Sequence, residues 1–358
     1  MSHPHFSIVC PSYQGERRLL DLLNAIKSGI GEMPDRFEII IVIDASTDKS
    51  QQVIEKFRNE HLTLQIITHI NSQNIGPASS RNEGARISRG EVILFLDDDC
   101  RPSQNLFNRA AELWMNAGAD TVAIGGLVTP NKSEFFSERY SEVFNSIQPW
   151  PLAPAMGNLW QRLSDYYLGA NLSIRGIEYF AGANFSIRHD AFSAIGGFPS
   201  HLRAGEDIAI CKIIRARYGN NSLLYDPDLI MHHEYPSHFS TLVSKKFRYG
   251  QLLSRAMAKG ELQLSLNPGP AIVLTLILGS FLMLKLVGVI HSAWTCFPVI
   301  IAITTLYAFF SVSARIKERK FTPKSLGLGL AFFTIEIANN VGFISGLLLR
   351  SKEIKKIA

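Results

Sequence analysis

The sequence is poor in cysteine, and the few it has stand far apart. Cys10, Cys100, Cys211 and Cys296 form no CxxC pair and no Cys/His cluster, which argues against a zinc site or a disulfide framework and fits a reducing compartment. Charge of one sign is also in short supply. A net charge of +5 over 358 residues provides no long basic stripe, and part of the excess lies in short clusters near the C-terminal end. That distribution speaks against nucleic acid and for a membrane surface. The N-terminal run MSHPHFSIVCPSYQGE has no basic segment followed by an apolar one, so no secretory signal is visible and the N-terminal part is expected to stay in the cytosol. No long apolar stretch precedes residue 268.

Three such stretches lie beyond it. The first runs over 270–290 with Lys285 as its only charge, and the second over 292–314 with no charge. Each has about the length needed to cross a bilayer. The third, 325–349, carries Glu336, Asn339, Asn340 and several glycines, so it can span, lie at the interface or re-enter. Between the second and third sits ARIKERKFTPK, whose Arg315, Lys317, Arg319, Lys320 and Lys324 face one Glu318, which puts this loop in the cytoplasm by the positive-inside rule. The tail beyond Leu349 is basic too, and three full crossings would place it outside. Two spans plus a re-entrant segment and three spans therefore both stand. The sequence divides into a catalytic domain over 1–240, a basic amphipathic linker over 241–267, a membrane region over 268–350 and a basic tail over 351–358.

Upstream the pattern alternates. FSIVC (6–10), EIIIVI (38–43), LTLQIITHI (62–70) and EVILFL (91–96) are short, apolar and β-branched, as strands buried on both faces are. Between them ERRLLDLLNAIK, STDKSQQVIEKFRN and PASSRNEGARIS read as helices, the second opening on a Ser/Thr/Asp cap. This alternation predicts an α/β fold with a mostly parallel sheet.

Two of the strands end in acid: one runs into Asp44, the other into Asp97, Asp98 and Asp99. In an open α/β sheet, ligands bind beyond the carboxyl ends of the strands, so both groups belong to one edge. An isolated acidic triplet is commonly a solvated loop. Placed after a buried strand and opposite a second acid-terminated strand, it instead points to a hard cation that relieves the mutual repulsion of the carboxylates. Oxygen ligands of this kind suit Mg²⁺ or Mn²⁺ shared with phosphate oxygens, and a metal on a diphosphate assists its departure.

The order SIVCPSY, IDASTD, NIGPASSRNEG, ILFLDDDC, AGANFSIR, IGGF and AGED resembles the family 2 inverting glycosyltransferases, which have the GT-A nucleotide-diphospho-sugar transferase fold. The likeness covers roughly residues 5–250, and C-terminal transmembrane helices often accompany it. It implies a nucleotide sugar donor, UDP-linked in the commonest case, with Mg²⁺ or Mn²⁺. Pro11 and Tyr13 match the loop that shapes the nucleotide pocket, and Asp44 the aspartate that meets the base. Here Ile43 and Ala45 depart from the frequent DDGSTD form. Asn74, Gly76 and Arg81 match the segment that approaches the nucleotide sugar. Asp97 and Asp99 match the pair that contacts ribose and metal-bound diphosphate, with Asp98 between them.

Glu206 and Asp207 match the acceptor-side acidic pair, which makes Asp207 the expected general base and Glu206 its orienting neighbour. One carboxylate facing the anomeric carbon from the side opposite the leaving group is what hydroxyl attack requires. A helix N-cap is the structural alternative for Asp207, since IAICKIIRARYG comes next with helical spacing; the base outweighs it, and the two roles are compatible. His232 and His233 fall where relatives place a histidine near the metal. A packed histidine accounts for either one equally well, and the sequence does not choose between them. Lys245, Lys246 and Arg248 of KKFRYGQ suit either the diphosphate or lipid headgroups.

The expected protein is a multi-pass enzyme of the cell membrane with its catalytic domain in the cytoplasm. It moves a sugar to a hydroxyl of a lipid-linked or membrane-proximal acceptor. A processive polysaccharide synthase is the nearest rival, but no QxxRW element is present. A nucleotidyltransferase would show a glycine-rich basic loop after the first strand, where this chain has CPSYQGERR. A purely binding role leaves the joint presence of metal and base candidates without a purpose.

Overall fold

The computed structural model of the chain describes residues 5–130, 179–236 and 238–258, with short pieces between 334 and 346. The four apolar runs form β1 (Phe6–Ser12), β2 (Phe37–Asp44), β3 (Gln65–Asn71) and β4 (Val92–Phe95). β1, β2 and β4 are buried at every residue. β3 departs from the expectation: it is the edge of the sheet, and its Ile70 is half-exposed. Helices α1 (Glu16–Ile30), α2 (Ser50–Glu60) and α3 (Pro77–Ile87) connect these strands, which pair in parallel as β1/β2, β2/β3 and β1/β4. α2 starts later than its Ser/Thr/Asp run predicts. Asp48 accepts from the backbone N–H and hydroxyl of Ser50 and from the N–H of Glu16, so the run ties the loop after β2 to the start of α1.

Past β4 the sheet changes character. The chain continues through β5 (Cys100–Pro102), α4 (Leu106–Met115), β6 (Ala123–Pro130), β7 (Phe185–Arg188), α5 (His189–Ala194), α6 (Glu206–Tyr218) and β8 (Leu223–His233), in the sheet order β3-β2-β1-β4-β7-β6-β8-β5. β7 runs antiparallel to β4 and β6, and β5 antiparallel to β8, so the sheet is mixed. β6 and β8 pair in parallel across an irregularity between Gly126 and Leu127, where the Asn184 side chain donates to the carbonyls of Leu127 and Leu229. Strands of three and four residues carry too little pattern for their direction to be read from sequence.

Each face of the sheet has its own core. One packs α1, α2 and α4 around Phe6, Phe37 and Phe107, with Phe6 and Phe37 stacked at 5.1 Å. The other packs α3, α5 and α6 around Phe95, Phe185, Phe192 and Phe198. Phe95 lies two residues before the acidic triplet, and its ring meets Phe198 edge-on at 5.0 Å. The strand end that carries the triplet is thus fixed by aromatic packing just beneath it.

The chain divides into two compact units. Of the described residues, the first holds those up to Glu234 and the second those from Tyr235 on. Within the second, α7 (Phe239–Ala258) packs on the described pieces of the third apolar stretch. Side-chain-free glycines permit this approach: a Cβ on Gly250 would come within 2.1 Å of the Asn339 carbonyl oxygen, and one on Gly342 within 2.0 Å of that of Phe247. Gln251 donates to the Ser345 hydroxyl at 3.0 Å. Among the described residues no helix is long and apolar enough to cross a membrane. The stretches 270–290 and 292–314, the loop between the second and third stretches, and the C-terminal tail lie outside the described residues.

Two non-glycine backbone positions are left-handed, Gln14 at φ 51° and Ala45 at φ 55°. Ala45 lies directly after β2, and left-handed backbone costs a residue with a Cβ roughly 1–2 kcal/mol. Ala45→Gly is expected to stabilise the protein by about 0.5–1 kcal/mol, once the added freedom of glycine in the unfolded chain is subtracted. A rise in the urea midpoint at unchanged slope is the measurement.

Candidate functional site

The carboxyl ends of β1, β2 and β4 open into a cavity of about 490 Å³. Pro11 and Ser12 at the end of β1 and Tyr13 just after it form one wall, and Tyr13 is exposed over half its surface. Asp44, Asn74, Gly76 and Pro77 form a second wall, and Asp97, Asp98 and Asp99 the floor after β4. Arg81, Arg203 and Glu206 complete it.

Each acid is held differently. Asp44 is buried, and its carboxylate accepts from the Asn71 amide and from the backbone N–H groups of Ile75 and Gly76, at 2.9 Å each. It therefore shapes the loop that presents Asn74 and Gly76. Asp98 accepts from the Ser12 hydroxyl at 2.7 Å and from Arg18 Nε and Nη2 at 3.0 and 2.9 Å, so both its oxygens are engaged although it borders the cavity. The pairing pins the floor to β1 and α1. Asp97 and Asp99, one residue to either side, face other partners.

Asp97 meets Arg81. This guanidinium is nearly inaccessible, with a side chain 4% exposed, and it donates from Nη2 to Asp97 and from Nη1 to Glu206 at 3.1 Å. Those two carboxylates, with Asp207 close by, push its pKa up against the opposing effect of burial. Its flat face lies 5.5 Å from the Phe198 ring centre. Phe198 is held in turn by Asn82, whose amide makes reciprocal 2.8 Å bonds with its backbone N–H and carbonyl. The IGGF element therefore reaches the site through Arg81.

Asp207 is not the helix cap. α6 starts at Glu206, preceded by Gly205, and Asp207 occupies its first turn. Its Oδ1 accepts from the Ile208 N–H at 2.8 Å, and the Gly182 N–H also donates to it. Burial above all, and then the charge of Glu206, raise its pKa to about 7, against the lowering effect of these hydrogen bonds and of Arg81. A carboxyl poised near neutrality is suited to take a proton in one step and release it in the next.

Asp99 faces His233. Asp99 Oδ1 and His233 Nε2 are 3.4 Å apart, and the donor atoms of Asp99, Cys100 and His233 all lie within 4.8 Å of one another. The Cys100 thiol is pushed well above its usual pKa by burial first and then by Asp97 and Asp99, so it stays protonated. That leaves a carboxylate oxygen and an imidazole nitrogen, a donor pair that fits Mn²⁺ or Mg²⁺ when phosphate oxygens supply the rest. Of the two histidines, His233 is the one at this position. It pairs in register with Cys100 across β5/β8, and the two-residue period of the strand turns His232 to the opposite face. Asp97, also read as a ligand, stands outside this donor group and carries Arg81 instead.

Sequence reasoning missed Ser12, Arg18 and Arg203. Ser12 lies between two recognised residues, and Arg18 and Arg203 lie within a few residues of recognised motifs. Their roles depend on partners far along the chain: Arg18 and Asp98 are 80 residues apart. Arg248, expected at the donor, belongs to α7 of the second unit.

A parallel-edged α/β sheet with an acidic floor, a histidine beside one acid and a near-neutral carboxylate defines an enzyme of the sugar-nucleotide transferase class. The chain belongs to glycosyl transferase family 2, whose model matches residues 7–196. It is 26% identical over 249 residues to glycosyltransferase AglE of Haloferax volcanii, covering 69% of this chain and 72% of that one. To the glucosyl-dolichyl phosphate glucuronosyltransferase of the same organism it is 24% identical over 259 residues, covering 68% and 74%. Its fold is similar to that of the mannosyltransferase PcManGT of Pyrobaculum calidifontis, solved with GDP-Man and Mn²⁺, at a TM-score of 0.62 and 16% identity over 95% of this chain and 88% of that one. The protein is a glycosyltransferase.

The buried charges set two expected outcomes. Between the ordinary carboxylate value of 3.8 and about 7, the folded chain holds a proton at Asp207 that the unfolded chain has lost. This group's contribution to stability therefore falls as pH rises through that window. Asp207→Asn is expected to flatten the fall, as read by urea unfolding at a series of pH values. Arg81→Met leaves Asp97 and Glu206 unpaired, and should cost about 3–5 kcal/mol in the same assay, as breaking a buried pair does.

Proposed function

We propose that the protein is a membrane-held inverting glycosyltransferase that moves a sugar from a nucleoside-diphosphate donor to a hydroxyl of a lipid-linked or membrane-proximal acceptor. The observation that carries this reading is the Arg81 guanidinium bridging Asp97 on the donor floor to Glu206, the neighbour of Asp207. One cation thereby sets the spacing between the residues that hold the donor and the carboxylate that takes the acceptor's proton.

Asp207 removes the proton of the attacking hydroxyl as its oxygen bonds to the anomeric carbon and the bond to the nucleoside diphosphate breaks. Attack from the face opposite the leaving group inverts the centre. Glu206 keeps Asp207 basic enough for this through its charge. Asp99 and His233 would hold a divalent cation, which supplies charge neutralisation to the departing diphosphate when bound.

The donor and acceptor classes draw support from relatives whose names report a dolichyl phosphate acceptor or a GDP-Man complex. Membrane attachment rests on the two uncharged or nearly uncharged stretches over 270–314 and the basic loop after them. The packing of α7 on the described pieces of the third stretch supports the alternative of two spans plus a segment that does not cross, in which the positive-inside rule keeps the basic tail in the cytoplasm. Retention of the chain in membranes after carbonate washing is expected, and its release would count against anchoring.

The test of the reaction is nucleoside-diphosphate release by detergent-purified full-length protein, over a panel of UDP- and GDP-sugars with Mn²⁺ or Mg²⁺ and a membrane-lipid extract. One donor should give release that rises with pH to a plateau, with kcat/KM half-maximal near pH 7. Asp207→Asn should lower the rate about a thousandfold or more while nucleotide binding survives. Turnover retained in that variant would remove Asp207 from its role. Asp99→Ala and His233→Ala should instead weaken metal-dependent nucleotide binding.

A further inference from the structure

The cavity is lined by two cations, and they differ in one respect. Both terminal nitrogens of Arg81 are committed, Nη2 to Asp97 and Nη1 to Glu206. Arg203 makes no hydrogen bond or ion pair among the described residues, and its side chain is exposed. This is unusual for a guanidinium beside so many acids. The reason lies in the acids: Asp44 is taken up by its own loop, Asp97 and Glu206 by Arg81, Asp98 by Arg18 and Ser12, and Asp99 faces His233. The lining leaves Arg203 without a counter-charge of its own, and a bound molecule can supply one.

Gly76 makes room for Arg203 beside the donor cavity. Gly76 precedes the first residue of α3 at φ 86°, and a Cβ there would come within 3.1 Å of Arg203 Nη1. The bare α-carbon leaves room for the guanidinium beside the start of α3. Arg203 lies in the short loop that leads into Glu206 and Asp207. A contact from the donor to Arg203 would therefore fasten the loop that delivers the general base.

Building on the transferase reading, we propose that Arg203 is a donor-binding and positioning residue. It grips an oxyanion of the nucleotide sugar and thereby fixes the segment that carries the catalytic carboxylate. Two parts of a donor offer that chemistry, the diphosphate and, where the sugar is a uronic acid, its carboxylate.

Calorimetric titration of the full-length protein in Mn²⁺ tests this with uridine and guanosine, UDP and GDP, and the UDP-linked neutral sugar and uronic acid. Arg203→Ala should bind the preferred diphosphate about tenfold more weakly or worse, the scale of a charge-assisted hydrogen bond, while its affinity for the nucleoside stays within about twofold. Arg203→Lys should recover part of the loss. A loss confined to the uronic acid donor also supports the proposal and names the sugar carboxylate as the group held. Unchanged nucleoside binding by Arg203→Ala shows that the variant is folded. With a donor that turns over, KM should rise and kcat fall together, because the base loop is no longer fixed.

Equal affinity of wild type and Arg203→Ala for the diphosphate and for both sugar nucleotides overturns the role of Arg203 and leaves the transferase reading intact. Loss of nucleoside and diphosphate binding in equal measure marks Arg203 as structural, and overturns the proposal too. A wild-type chain that binds none of these nucleotides overturns the transferase reading and this assignment with it.

Discussion

A guanidinium shut away from water beneath the cavity is the constraint on which the rest of the site depends. Arg81 cannot be buried without counter-charge, because an unpaired ion in that position costs several kcal/mol. Asp97 and Glu206 supply it from two segments distant in sequence, one just past the end of β4 and the other at the start of α6. The demand for neutrality thus places a strand end and a helix start at a fixed separation. Phe198 beneath the guanidinium and Asn82 behind Phe198 make that separation stiff. Preorganisation of this kind is what an acid-rich active site needs if it is not to rearrange at each turnover.

The three consecutive aspartates show how a strand end divides labour. They lie in the turn after β4, which the Cys100 N–H closes by donating to the Asp97 carbonyl at 3.1 Å, and each side chain leaves it toward a different partner. Asp98 is drawn down onto Arg18 and Ser12 and becomes part of the framework. Asp97 secures Arg81, and Asp99 stands beside His233. Three identical side chains have three different tasks because each meets a different partner.

The donor half of the fold is legible in the sequence because β1, β2 and β4 are continuous apolar runs with acids at their ends. The helices between them are equally plain. The half beyond β4 is not. Short strands such as Phe185–Arg188 carry no period long enough to report direction, and an antiparallel β7 cannot be told from a parallel one in four residues. At the site, local spacing identifies Asp44, Arg81, the acidic triplet and the Glu206–Asp207 pair, whereas the partner of each acid depends on tertiary contact. The choice of His233 over His232 needs only the pairing of β5 with β8, which no sequence pattern discloses. Asp207, for which a helix cap is the weaker alternative to the base in the sequence, lies in the first turn of α6, and Gly205 takes the cap position.

The span between Arg81 and Glu206 has a consequence for how the enzyme comes into being. The two are 125 residues apart, so a chain emerging from the ribosome completes the first four strands and the acidic triplet well before Glu206 exists. Until then Arg81 has half of its neutralising charge, and burying it is unfavourable. The cavity reaches its final form only when the segment bearing the proton acceptor has been made and has packed. A partly synthesised chain is thereby kept from presenting a finished donor site with no means of completing the transfer.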